Sequence, residues 1–299
     1  MKAEVLVPCG LQLGEAPVWS AELNLLLWID LPTAQLWRHD LQSGETRSDT
    51  LPVEPLLGAI APTDVPEIFL LTHRRGISLI NIDTLAITTF ADPEKGRDSV
   101  MYNDAKVDRL GRLWAGTSHV REAEPRGALW IVDADRNSRL VDAGFAIANG
   151  PAFSPDGRTA YFSDSLAKQI LAYDVSIDGA VSGRRIFCEF GEQEGLPDGL
   201  TVDAEGFVWV AHWAGSRVSR RNSQGEAVMT IDVPAPHATS LCFGGVDYRD
   251  LFITTAWDSS SEPTRRLFPS AGHVFHLTPD AQGLPEPKFV PTHFKLIEV

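Results

Sequence analysis

Four residues far apart in the chain carry carboxylate or amide oxygens in the same local setting: Glu15 in "GEAPVW", Asn103 in "YNDAKV", Asn149 in "ANGPAF" and Asp198 in "PDGLTV". Each stands where a polar entry gives way to a short apolar run. Oxygen ligands of these types, brought together, suit a hard divalent cation whose remaining positions water can fill. A carboxylate in such a place can also carry a proton to and from a reacting group. The competing explanation is local: Asn149-Gly150 and Asp198-Gly199 are also good turn openers. The common setting of the four residues, on different repeats, favours a shared site.

An internal repeat must do the positioning. The settings of Glu15, Ala59, Asn103, Asn149, Asp198 and Ser240 recur roughly 42 to 49 residues apart, a period that suits a propeller blade of several short strands. Stretches such as "LLLWID", "EIFLLT", "RLWAGT", "TAYFSD", "FVWVAH" and "LFITTA" are short, rich in aromatic and aliphatic residues, and bounded by turn formers, as strands are. No capped stripe of helical period competes. The expected fold is therefore all-β, a six-bladed β-propeller occupying residues 1–299 as one domain. The first strand of each blade lines the central channel, so the six recurring positions form a ring around the axis. Either "AEVLVP" near the start or "FKLIEV" at the end completes the last blade, because the ring must leave no open strand edge.

Other cues have structural explanations. "DRLG" (108–111), "SPDG" (154–157) and "DAEG" (203–206) lie between paired strands, which makes Asp156 and Asp203 turn residues. Trp28, Trp114, Tyr161 and Trp209 occupy one strand place in four blades and are expected to pack between blades. His237 and His276 have no spacing partner and are assigned no ligand role. Loops on the face of the candidate site include the long polar "AWDSSSEPTRRLFPSAG" (256–272), a candidate cover for a small-molecule pocket.

Composition narrows the partners. Hydrophobic residues make up 43% of the 299, enough for a large core. The net charge of −14 disfavours a nucleic-acid backbone as partner. Cys9, Cys188 and Cys242 are odd in number and far apart, which argues against a disulfide scaffold and fits a cytoplasmic setting. No stretch is long and apolar enough to span a bilayer, so no membrane partner is expected, and no obligatory protein partner is implied.

"LGEAPVW", "NDAKVDRLGRLWAGT", "NGPAFSPDGRTAYFSD", "PDGLTVDAEGFVWVAHWAGSRV" and "TSLCFGGVDYRDLFITTA" together resemble the SMP-30/gluconolactonase family, the regucalcin-like sugar lactonases, over nearly the whole chain. The resemblance implies one divalent cation (Ca, Zn, Mn, Mg or Fe) held by Glu15, Asn149 and Asp198, with Asp198 also the catalytic base. It places Asn103 against substrate. It also implies hydrolysis of a sugar lactone, an aldonolactone or a related acid-sugar lactone, to the open-chain acid. The family often has an arginine two residues before the channel asparagine, contacting substrate; here that substrate-binding position is Met101. If the substrate carries a carboxylate, its counter-charge must then come from Arg74, Arg75, Arg121, Arg265 or Arg266 on the site-facing loops. Two other activities fit the same scaffold, an esterase or phosphotriesterase and a non-enzymatic calcium-binding propeller.

Overall fold

Six four-stranded antiparallel sheets account for nearly all the regular structure of the computed structural model, which describes residues 1–291. Their inner strands are Gly14–Ser20, Leu57–Pro62, Val100–Val107, Ala148–Phe153, Leu196–Val202 and His237–Gly244. Each packs on the next, and the last packs on the first, so the blades close a six-bladed propeller. These strands have neighbours on every side. They are accordingly built from small and apolar residues and are buried almost throughout.

The ring is closed by the N-terminal strand Glu4–Val7, which pairs with Val274–Leu277 as the outermost strand of the last blade. The alternative strand "FKLIEV" lies outside the described residues. Large aromatic side chains fill the spaces between blades as expected. Trp28, Trp114 and Trp209 have no exposed surface, and edge contacts join Trp114 to Phe153 and Trp209 to Phe243 on the following blades.

The turn aspartates divide into two kinds. Asp156 is an exposed turn residue that accepts from the Arg158 N–H and the Ser154 hydroxyl. Asp203 is fully buried, so the reading of it as only a turn residue is incomplete. Its Oδ1 accepts from the N–H groups of Glu205 and Phe207, while Oδ2 accepts from the Trp209 indole and the Arg220 guanidinium. Asp108 repeats the device with Leu110, Arg112 and Trp114. A carboxylate has enough lone pairs to shape the hairpin and also pin the inter-blade tryptophan behind it.

The long polar segment after Ala256 contains a six-residue helix, Glu262–Leu267. Ser261 caps it through the Thr264 N–H, a proline stands in the first turn, and Glu262 and Arg265/Arg266 complement the two ends of the dipole. No helix among the described residues is long and apolar enough to cross a membrane.

Candidate active site

A backbone irregularity recurs in every inner strand at the place where the candidate residues sit. Pairing with the second strand slips between Glu15 and Val18, Leu57 and Ile60, Tyr102 and Ala105, Asn149 and Ala152, Pro197 and Leu200, and Ala238 and Ser240. An extra residue inserted into one strand bends it and re-aims the neighbouring side chains. Here it turns Glu15, Asn103, Asn149 and Asp198 into one cavity of about 310 Å³ at one end of the channel. Glycines serve two of the bulges, those at Asn149 and Asp198. Gly150 has φ +60°, and a Cβ on Gly199 would lie 2.2 Å from Ser240 Oγ.

The amides are held by a defined network. Asn103 Nδ2 donates to the Ala148 carbonyl (2.9 Å) and to Asn149 Oδ1 (2.6 Å). Asn149 Nδ2 donates to Ser165 Oγ at 3.1 Å, and that hydroxyl donates in turn to the Pro197 carbonyl at 2.7 Å. Ser163 Oγ donates to the Asp198 carbonyl at 2.8 Å. These bonds link three inner strands and fix the orientation of each amide by engaging its Nδ2 hydrogens. A second lone pair on Asn149 Oδ1 remains for a ligand.

The two carboxylates are in an unfavourable environment as they stand. Glu15 is 7% exposed, and its only hydrogen bond among the described residues is from the Ala16 N–H (3.1 Å). Asp198 is 5% exposed, and its Oδ1 is buried without a hydrogen-bond partner. Burial pushes the pKa of both far above the usual carboxylate range. The Asp104 charge raises Glu15 further, and the charges of Glu15, Asp104 and Glu122 raise Asp198. A buried acceptor with no donor, beside a second buried carboxylate, is the chemistry a cation relieves. The donor set Glu15, Asn149 and Asp198 therefore fits a divalent ion with oxygen ligands.

Not every expected residue reaches the cavity. Met101 is buried in the ladder opposite Ser118 and is not among the lining residues. Ala59 and Ser240 also stay out of the cavity, Ser240 packed against Gly199. None of the five candidate arginines lines it either. Arg74 and Arg75 pair with Glu54, Arg265 lies over the Trp257 ring, and Arg266 pairs with Glu262.

Other residues join that the sequence reading left aside. Asp104, next to Asn103 in the bulge, is buried without lining the cavity and accepts from the Gly150 N–H at 3.0 Å. Glu122, Asp258 and Ser259 enter the cavity wall from loops, together with Trp213 and the aliphatic Leu31 and Leu166. The signal for Asp104 was the adjacent polar pair in "YNDAK", which strict alternation of strand faces does not accommodate. Nothing in the loop sequences marks Glu122 or Asp258.

A six-bladed propeller with a carboxylate and amide cavity at one end of its axis defines a class, and comparison with known proteins places the chain within it. Residues 13–257 match the model of the SMP-30/gluconolactonase/LRE-like region, and the chain belongs to that family. It is 33% identical to the 6-deoxy-6-sulfogluconolactonase of Pseudomonas putida over 93% of this chain and 94% of that one. It is 32% identical to the pentonolactonase of Haloferax volcanii over 94% and 96%. Among solved structures, a calcium-binding protein, regucalcin, from Agrobacterium tumefaciens superposes with a TM-score of 0.91 at 25% identity over 97% of both chains.

Proposed function

We propose that the protein is a divalent-metal-dependent lactonase that opens a sugar lactone to its open-chain acid. The observation that carries this reading is the buried, unpartnered Oδ1 of Asp198 in the same small cavity as Glu15, Asn103 and Asn149. The lactonase relatives support the reaction class, and the calcium-binding structural relative supports the cation. Glu15, Asn149 and Asp198 would hold the ion. When bound, such an ion polarises a carbonyl oxygen and lowers the pKa of water.

The protein's own residues supply the rest. Asp198 takes a proton from the attacking water as its oxygen adds to the lactone carbonyl carbon. When the ring C–O bond breaks, Asp198 returns that proton to the departing ring oxygen, so a lactone and a water become a hydroxy acid. Asn103, with both amide hydrogens already donated, is fixed in one orientation and aligns the substrate at Oδ1. Ser165 and Ser163 hold Asn149 and the Asp198 backbone in place.

The test is acid release from a panel of aldonolactones, with and without chelator, followed by restoration with single metals. Chelation is expected to abolish the activity and one metal to restore it. Asp198→Asn is expected to lower kcat by about 10²- to 10⁴-fold, the range for loss of a general base. Unchanged rates after complete metal removal, or in Asp198→Asn, would overturn the mechanism. No release from any lactone, with tight calcium binding, would favour a non-catalytic calcium protein.

A further inference from the structure

Lactone opening changes charge: a neutral ring enters and, above the pKa of the new acid, a carboxylate must leave. The cavity wall is one-sided with respect to that change. Its ionisable side chains are all acidic, Glu15 and Asp198 at the base and Glu122 and Asp258 on the loops, with no lysine, arginine or histidine among the lining residues. The two loop carboxylates are also uncompensated. Neither forms a side-chain hydrogen bond or an ion pair among the described residues, although acidic groups on other loops, such as Glu54 and Glu262, do. The charge of Glu122 is felt at Asp198, and that of Asp258 at His237, whose ring stacks on the cavity residue Trp213 at 4.1 Å.

Resting on the lactonase reading, we propose that Glu122 and Asp258 form an electrostatic gate that admits uncharged lactones, rejects anionic ones and expels the sugar-acid product. With a divalent ion held by Glu15, Asn149 and Asp198, the charges at the base would be balanced, and the loop pair Glu122 and Asp258 would set the sign of the field an incoming or departing ligand meets. Of the site-facing arginines, Arg74 and Arg75 pair with Glu54, Arg266 with Glu262, and Arg265 with the Ser260 carbonyl and the Trp257 ring, while Arg121, next to Glu122 in sequence, is not among the lining residues. Leu31, Leu166 and Trp213 offer apolar surface to the C–H faces of a sugar ring, and the wall presents no cationic donor to an anionic substituent.

The test is equilibrium binding by calorimetry on the intact, metal-loaded protein at pH 8 and low salt. Its two unreactive probes are neutral 1,5-anhydroglucitol and the anion gluconate. The paired variant Glu122→Gln/Asp258→Asn keeps size and shape and removes both charges. It is expected to bind gluconate at least about tenfold more tightly than the wild type, since one unit charge near a shielded site is worth about that much. Its affinity for anhydroglucitol is expected to stay within about threefold. Raising the salt concentration should strengthen gluconate binding to the wild type and not to the variant. Gluconate affinity unchanged by the substitutions, or both probes shifting together, overturns the gate. Because no probe reacts, a protein that shows this charge selection but opens no lactone refutes the lactonase reading and leaves the gate standing.

Discussion

His212 shows how a single side chain is tuned by its surroundings. It has no exposed surface and is held at both ring nitrogens, Nδ1 at 2.7 Å from the Glu194 carbonyl and Nε2 at 2.8 Å from Ser219 Oγ. A neutral ring satisfies both, donating from Nδ1 and accepting at Nε2. Burial is the main cause that lowers its pKa to about 4. The unfolded chain, with an ordinary histidine pKa near 6.5, then binds more protons than the native protein between pH 6.5 and 4. Stability is therefore full above that window and is lost as the pH falls through it, by about 3 kcal/mol for this group. Denaturant titrations at pH 7.5, 5.5 and 4.5 should show this slope in the wild type and a shallower one in His212→Gln. Equal slopes would assign the acid sensitivity to other groups. At this scale the sequence pointed to Glu15, Asn103, Asn149 and Asp198, because spacing in the repeat together with the oxygen-bearing residue type sets them apart from Ala59 and Ser240 at the same register. It did not show Glu122 or Asp258, whose places depend on how two loops fold over the cavity.

The element that builds the site is the bulged inner strand. A regular strand would send alternate side chains to opposite faces, so a residue and its neighbour could not serve one channel. The bulge at Tyr102/Ala105 places both Asn103 and Asp104 among the buried polar groups at the channel, and the one at Pro197/Leu200 exposes Asp198 to the cavity while Gly199 passes against the next blade. Gly199→Ala should therefore act through geometry. Its methyl would meet Ser240 Oγ at 2.2 Å and Ser240 Cβ at 2.6 Å, with no space to yield into. We expect a stability loss of about 1–3 kcal/mol, typical of overpacking, together with weaker cation binding as Asp198 is displaced. Calorimetry of unfolding and of metal binding reads the two effects. A destabilised protein with unchanged metal affinity would show that the bulge does not place Asp198. The period and the Asp-Gly and Asn-Gly pairs pointed to these positions in the sequence. The bulges themselves were hidden, because a one-residue slip leaves the hydrophobic pattern of so short a strand almost unaltered.

At the scale of the whole molecule, the ring is held by its first strand. Glu4–Val7 pairs with Val274–Leu277 and the Leu11 N–H donates to the Gly272 carbonyl, which closes the last blade, while the Ala3 N–H donates to the Asp232 carbonyl and ties the same segment to the fifth. The sequence required a closure, since an open edge exposes unpaired backbone groups. It left two candidate segments, because either terminus offers a short apolar stretch, and the three-dimensional path brings Glu4–Val7 to the free edge. Removing residues 1–8 would strip that edge and uncover Val274 and Phe275, both fully buried in the intact protein. The loss of one strand's pairing and of that apolar burial amounts to several kcal/mol, and at roughly 2 °C per kcal/mol for a large domain the thermal midpoint should fall by about 10 °C. The bared edge should also pair between molecules, so size-exclusion chromatography at micromolar concentration is expected to show oligomers absent from the full chain. Because the cavity lies across the closure seam, with Leu13 and Glu15 on the first blade and Asp258 and Ser259 on the last, cation affinity should fall with the midpoint. An unchanged midpoint and a monomeric truncated protein would show that the other blade contacts close the ring without it.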